Sequence, residues 1–64
     1  MLLSQRELEL LELIAVGRTN REIAGELFIA VGTVNGQTVN ILPKLDGANR
    51  TEAVVKARQI GLVQ

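Results

Sequence analysis

The sequence repeats one local signal three times. Ser4, Thr19 and Asn49 have side chains that can cap a helix, and each is followed by a glutamate three positions later. Apolar residues at helical spacing come next. In a capping box the first side chain accepts a hydrogen bond from a free amide of the first turn, and the glutamate reaches back to the amide of the capping residue. Three such starts within 64 residues predict an all-α fold of short helices.

The ends of the helices are marked as well. Gly17 and Gly61 follow the first and last apolar stripes. Glycine readily adopts the left-handed backbone conformation that ends a helix. The third segment is less regular, since it contains Gly32, Gly36 and Pro43, and we expect it to kink or tighten near the proline. These signals predict four helices, over about 5–16, 20–27, 31–42 and 50–60, in one domain over residues 1–64. The positions expected to face the core are Leu10, Leu11, Ile14, Ile23, Ala24, Leu27, Val31, Val34, Thr38, Ile41, Leu42, Leu45, Ala53, Val54, Ala57 and Ile60, with Leu62 folding back after Gly61.

The composition excludes several classes of function. There is no cysteine and no histidine, so a disulfide scaffold, a thiolate or imidazole metal site and the usual general base are ruled out. We therefore expect no enzyme activity, no cofactor and no metal. No apolar run is long enough to span a bilayer, and the first residues lack the pattern of a signal peptide. The sequence thus predicts a cytoplasmic protein without a membrane partner.

The charges are balanced overall but unevenly spread. The formal net charge is zero, which is unusual for a nucleic-acid-binding protein because basic side chains supply its non-specific affinity. Residues 1–30 hold three basic and five acidic side chains, whereas residues 31–64 hold four basic and two acidic ones. A nucleic-acid interface is therefore expected in the second half.

The second and third predicted helices have the spacing of a helix-turn-helix, over about 20–39. They are separated only by the three residues from Phe28 to Ala30, and Ala24 is small enough to let two helices approach. An ordinary helical hairpin has the same features, so the spacing alone does not decide between the two.

The whole chain resembles the LuxR-type (LuxR/FixJ) helix-turn-helix DNA-binding domains of bacterial transcription regulators. The matching stretches are, in order, Leu3-Ser4-Gln5-Arg6-Glu7, Leu13-Ile14-Ala15-Val16-Gly17, Thr19-Asn20-Arg21-Glu22-Ile23-Ala24, Thr33-Val34, Asn40-Ile41, Lys44-Leu45, Asn49-Arg50-Thr51-Glu52-Ala53-Val54 and Gly61-Leu62. Stretches 29–34 and 44–46 look most like the large ATP-dependent regulators of the family. The resemblance implies that the third helix enters the major groove of double-stranded DNA, that the fourth helix supports a homodimer, and that the full-length protein has an N-terminal sensor or receiver domain.

Candidate site residues follow from this resemblance and from the helical spacing. On the third helix, the DNA-binding candidates are Gly32, Thr33, Asn35, Gly36, Gln37, Val39 and Asn40. An asparagine or glutamine amide matches the donor and acceptor of an adenine edge, and a valine can contact a thymine methyl group. The candidates for phosphate contacts are Lys44, Arg50, Thr19 and Asn20, the last two because a helix N-terminus attracts anions. Val55 has no evident inward role and is the dimerisation candidate.

The sequence also departs from the family pattern within the third helix. Asn35 stands where the family usually has lysine, Gln37 where histidine is frequent, and Ala30 where a serine caps the helix. Thr38 directs a hydroxyl toward the core, and Pro43 falls inside the usual helix. These changes favour an alternative function, in which a LuxR-type scaffold has lost DNA binding and serves as a protein-interaction or dimerisation module.

Overall fold

A computed structural model describes residues 3–64 and has four α-helices. They are α1 (Gln5–Ala15), α2 (Asn20–Leu27), α3 (Val31–Ile41) and α4 (Arg50–Gln59), with a short 3-10 helix (Leu42–Leu45) directly after α3. No strand is present among the described residues. The all-α prediction is confirmed, and each helix ends within one residue of its predicted position.

The first two capping boxes are complete. The Glu7 amide donates to the Ser4 hydroxyl over 3.1 Å, and the Ser4 amide donates to the Glu7 carboxylate over 2.9 Å. Thr19 and Glu22 at the start of α2 form the same pair of bonds at the same distances. Both helix starts are therefore stabilised by local contacts that the sequence alone predicts.

The third cap is formed only in part. The Asn49 side chain accepts from the Glu52 amide over 2.9 Å. The Glu52 carboxylate does not return to Asn49, however, because it accepts from the Ala48 amide over 3.1 Å. The predicted N-cap is confirmed, and the carboxylate contact is displaced by one residue toward the preceding turn.

The predicted tightening at Pro43 is the 3-10 helix. A proline cannot donate to an α-helical carbonyl, and it occupies the first turn of the 3-10 segment, where that donor is not needed. Asp46 then adopts a left-handed conformation, with φ of 54°, and closes the segment. At Gly47 an added Cβ would lie 2.9 Å from both the backbone nitrogen and the Cα of Ala53, so only glycine lets this turn approach α4.

The core lies between the four helices and is aliphatic. Its most deeply buried side chains are Leu10, Leu11, Ile23, Val34 and Ile41, and further members are Ile14, Ala24, Leu45, Ala53, Val54 and Ala57. Half-buried Leu27 and Leu42 pack against it.

No helix within residues 3–64 is both long and apolar enough to cross a membrane. Across the same residues, no cluster of three or more His, Cys, Asp or Glu side chains is placed to hold a metal ion.

Two residues predicted to face the core do not. Val31 is 46% exposed and Ile60 is 56% exposed. Val31 is the first residue of α3 and Ile60 lies just beyond the last turn of α4, so both are past the packed part of their helices. The chain instead reverses at Gly61, with φ of 79°, and half-buried Leu62 packs on the core as expected, its amide bonded to the Ala57 carbonyl.

Candidate nucleic-acid interface

The turn between α2 and α3 sets the crossing of the two helices. Phe28 adopts a left-handed conformation, with φ of 58°, and its side chain is 93% exposed. The Ile29 amide donates to the Ala24 carbonyl over 3.0 Å, which closes the end of α2. Because Ala24 and Val34 are both buried, the inner faces of the two helices are held in the core and the outer face of α3 points away from it.

The outer face of α3 is exposed, uncharged and formed by small side chains. Six of its predicted contact residues are exposed: Gly32, Thr33, Asn35, Gly36, Val39 and Asn40. No acidic residue occurs between Val31 and Leu45. A Cβ added at either glycine of α3 would meet nothing within 4 Å, so nothing in the described chain packs on this face. A duplex could approach the helix backbone closely here without meeting a negative charge.

Gln37 differs from the other α3 candidates. It is half-buried, and its side-chain oxygen is buried without a hydrogen-bond partner among the described residues. In this conformation the oxygen is not displayed to solvent, and a contact between this amide and a base edge stays a prediction. Helical spacing places Gln37 on the flank of the outer face, where partial burial of its side chain is compatible with the exposure of the other candidates.

Lys44, a predicted phosphate contact, is paired within the protein. Its ammonium group lies 2.8 Å from both carboxylate oxygens of Glu7, 37 positions earlier in the chain. The Lys44 bond, followed by the bond from the Ser4 amide, holds the pKa of Glu7 below its ordinary value. The Lys44 side chain remains 40% exposed, so it is accessible but not a free cation.

Arg50 is also engaged by neighbouring residues. Its guanidinium donates to the side-chain oxygen of Asn20 and, over 3.0 Å, to the Arg18 carbonyl. This contact joins the first residue of α4 to the first residue of α2, so both predicted phosphate ligands belong to one structural link. The Thr19 hydroxyl beside them is occupied in the cap of α2.

Two further arginines lie near the N-terminus of α2 and were not selected from the sequence. Arg21 is exposed on the first turn of α2. Arg18, in the loop before it, is exposed and lies 3.3 Å from the Glu26 carboxylate. The only sequence signal for them was their position around a predicted helix start, where a basic side chain adds to the positive end of the helix dipole.

A shallow groove of about 250 Å³ lies between α1 and α4, lined by Ile14, Arg50, Thr51, Val54, Val55 and Arg58. Val55, the dimerisation candidate, is 46% exposed beside buried Val54. Arg58 donates to the carbonyls of Ala15 and Gln64, over 3.0 and 2.9 Å, and so ties the C-terminal residues to the end of α1. The groove leaves Val55 available for contact with another surface.

Comparisons with known proteins agree with this geometry. The family model described as bacterial regulatory proteins, luxR family, matches residues 1–57. The transcriptional regulatory protein LiaR of Bacillus subtilis (strain 168) is 54% identical over 61 residues, which are 95% of this chain and 29% of LiaR. The response regulator protein VraR of Staphylococcus aureus (strain NCTC 8325 / PS 47) is 46% identical over 63 residues, 98% of this chain and 30% of VraR.

A solved structure is similar over nearly the whole chain. It is the crystal structure of the response regulator ChrA of a heme-sensing two-component system, with a TM-score of 0.90 and 44% sequence identity. The match covers 97% of this chain and 31% of that one. The chain therefore spans about three tenths of the length of the relatives described here.

Proposed function

The chain belongs to the luxR family of bacterial regulatory proteins, and we propose that it binds double-stranded DNA with the outer face of α3 in the major groove. The resemblance to LuxR-type DNA-binding domains of transcription regulators is confirmed by the family match. The proposal concerns which surface of this chain contacts DNA and which residues take part.

The observation that carries the proposal is the outer face of α3. It is the exposed side of the second helix of a helix-turn-helix, has no acidic side chain, and presents two glycines with open space above them. The major groove is about 12 Å wide and admits an α-helix. In this arrangement exposed Asn35 and Asn40 would supply amides for base edges and Val39 an apolar contact, and exposed Thr33 and the start of α2 would contact the phosphates.

A salt titration of the whole chain against random duplex DNA tests the proposal. Asn35→Lys should tighten binding and steepen the slope of log affinity against log salt by about 0.9, because the lysine neutralises one more phosphate. Gln59→Lys is the matched control, since it adds the same charge at an exposed position at the end of α4 and should leave the slope unchanged.

If the parent and Asn35→Lys fail to bind duplex while their helical content is intact, α3 does not meet DNA. The alternative, a LuxR-type scaffold that serves protein interaction, would then replace this proposal. The zero net charge and the internal pairing of Lys44 and Arg50 are the observations that favour that alternative.

We further propose a homodimer through α4 and a place in a longer regulator. Half-exposed Val55 beside the groove between α1 and α4 supports the first, and the threefold greater length of the response regulators VraR and ChrA supports an N-terminal sensor or receiver domain. A role in bacterial transcription would place the protein in the cytoplasm.

Sedimentation at increasing concentration tests the dimer. It should show association in the parent and a weaker tendency to associate in Val55→Glu, with Gln59→Glu as the control. Equal association of all three would contradict the dimer surface.

A further inference from the structure

We propose that Glu7 competes with DNA phosphate for Lys44 and so limits the affinity of this domain for DNA. The inference rests on the proposed DNA binding and adds to it a residue of α1 that lies outside the helix-turn-helix. The geometry that points to it is the pairing of one ammonium group with both oxygens of one oriented carboxylate, each at 2.8 Å.

The Glu7 carboxylate is also held by a bond that does not involve Lys44. It accepts from the Ser4 amide over 2.9 Å as part of the α1 cap, and its side chain is only 15% exposed. Lys44, at 40% exposure, is the more accessible partner and has a flexible stem. A phosphate arriving from solvent can therefore reach the ammonium group, but it must displace a carboxylate that needs no reorganisation to hold it.

The pair matters because cations are scarce around α3. Lys44 is the only basic residue between Val31 and Asn49. While it is bound to Glu7, the third helix and the turn after it offer no uncompensated positive charge to a duplex. Each phosphate that a protein neutralises contributes about 0.9 to the salt dependence of binding. The structure thus predicts that this contribution is largely suppressed at Lys44.

The chain contains a matched control for Glu7. Glu22 forms the same capping box at the start of α2, with bonds of 2.9 and 3.1 Å, and the basic residue near it is not Lys44 but Arg18, which is paired with Glu26. The bond from the Thr19 amide is the main cause that lowers the pKa of Glu22, whereas for Glu7 it is the Lys44 bond. Glutamine can serve as the acceptor of a capping box. Glu7→Gln and Glu22→Gln therefore remove equal charge and keep both caps, and only the first frees Lys44.

The experiment measures affinity of the whole chain for random duplex as a function of salt, with circular dichroism to check helical content. The variants are Glu7→Gln, Glu22→Gln, Lys44→Ala and both double variants with Lys44→Ala. Glu7→Gln should steepen the slope by about 0.9, which means an additional loss of about 3.5-fold between roughly 50 and 200 mM salt. Lys44→Ala should abolish that gain. Any general effect of removing the Glu22 charge should be the same with and without Lys44.

The parent supplies a second measurement that does not depend on Glu7→Gln folding. Lys44→Ala in the parent should lower the slope by less than half of the roughly 0.9 expected for a free cation. A full loss of about 0.9, or equal binding by Glu7→Gln and Glu7→Gln/Lys44→Ala, would overturn the inference while leaving the proposed function standing. Failure of the parent and of Asn35→Lys to bind any duplex would instead overturn the proposed function, and the inference with it.

Discussion

The helices that support the candidate interface and the helix that forms it are stabilised in different ways. The starts of α1 and α2 each have two reciprocal capping bonds. The start of α3, at Ala30, has none, and exposed Gly32 and Gly36 lower its helical propensity further. What keeps α3 helical is the packing of one face of it on the core. In this domain the starts of α1 and α2 are stabilised by local bonds, whereas the candidate DNA-binding helix depends for its stability on packing against the other helices.

Glycine substitutions give the strongest test, because the same change should have opposite signs in the packed turn before α4 and on the exposed face of α3. Gly47→Ala should destabilise the domain by roughly 1–3 kcal/mol, since the new Cβ would overlap the backbone of Ala53 in α4 and backbone atoms move at high cost. Urea denaturation followed by circular dichroism measures the change. Gly25→Ala, on the exposed face of α2 with open space around it, is the control and should not destabilise. A Gly47→Ala variant as stable as the parent would contradict the close approach.

Within α3 the same substitution should stabilise. Gly36→Ala is expected to raise the free energy of unfolding by up to about 1 kcal/mol, because alanine is the better helix former and its Cβ meets nothing. Amide exchange, which we expect to be faster in α3 than in α1 of the parent, should slow in α3. Gly17→Ala has equal space but a φ of 90°, so it should destabilise and serves as the opposite control. Uniform protection of all four helices in the parent would remove the contrast between α1 and α3.

Adding an N-cap side chain to α3 should reduce the difference in stability between α3 and the capped helices, by a smaller amount than the glycine substitution. Ala30 already has the extended backbone of an N-cap, with φ of −74° and ψ of 150°, so Ala30→Ser adds only the acceptor. We expect a gain of about 0.5–1 kcal/mol, and Thr19→Ala at the start of α2 should lose about as much. Thermal unfolding of both variants checks the pair. If Ala30→Ser is neutral while Thr19→Ala is destabilising, the absence of a cap is not what weakens α3.

Acid should affect α1 and α2 more directly than α3, and this is the smallest effect expected. The pKa of Glu7 and that of Glu22 are lowered from the ordinary value of 4.5 by their bonds in the folded chain. The unfolded chain therefore binds these protons more readily, so stability from both groups is present above about pH 4.5 and is lost as the pH falls through the folded values. An NMR titration should show the Glu7 and Glu22 amides changing together with their carboxylates. Glu22→Gln should remove this response at α2 only.

The sequence predicted the helices well because their signals are local. A cap and a glutamate three residues apart, or a glycine after an apolar stripe, act within one helical turn, and Ser4, Thr19 and Gly17 behave as expected. The prediction that Val31 and Ile60 face the core was wrong, because helical periodicity in the sequence extends beyond the turns that pack on the core. The cap bond that shifted from Asn49 to Ala48 depends on the turn before α4 and is not encoded in the spacing.

The site was predictable only in outline. Exposure along α3 follows from its period, and it holds for six of the seven candidates on that helix. The partners of Lys44 and Arg50 lie 37 and 30 positions away, so no local pattern could show that both side chains are already occupied. Gln37 is the exception on α3: it is half-buried, and its side-chain oxygen has no hydrogen-bond partner among the described residues.

The apolar stripe through which α3 packs is formed by Val34, Thr38 and Ile41. It also affects when α3 forms and how often it opens. Thr38 is buried there, and its hydroxyl bonds to the Val34 carbonyl over 2.8 Å, so the stripe presents no unpaired group to the core. A helix this short is marginal in water by itself, and we expect α3 to form late in folding and to open first in the folded domain. If α3 binds DNA as proposed, a duplex can bind only the fraction of molecules in which α3 is folded, and the apparent affinity falls by that fraction. Substitutions that increase the fraction of time for which α3 stays folded should then tighten DNA binding without adding a contact to any base.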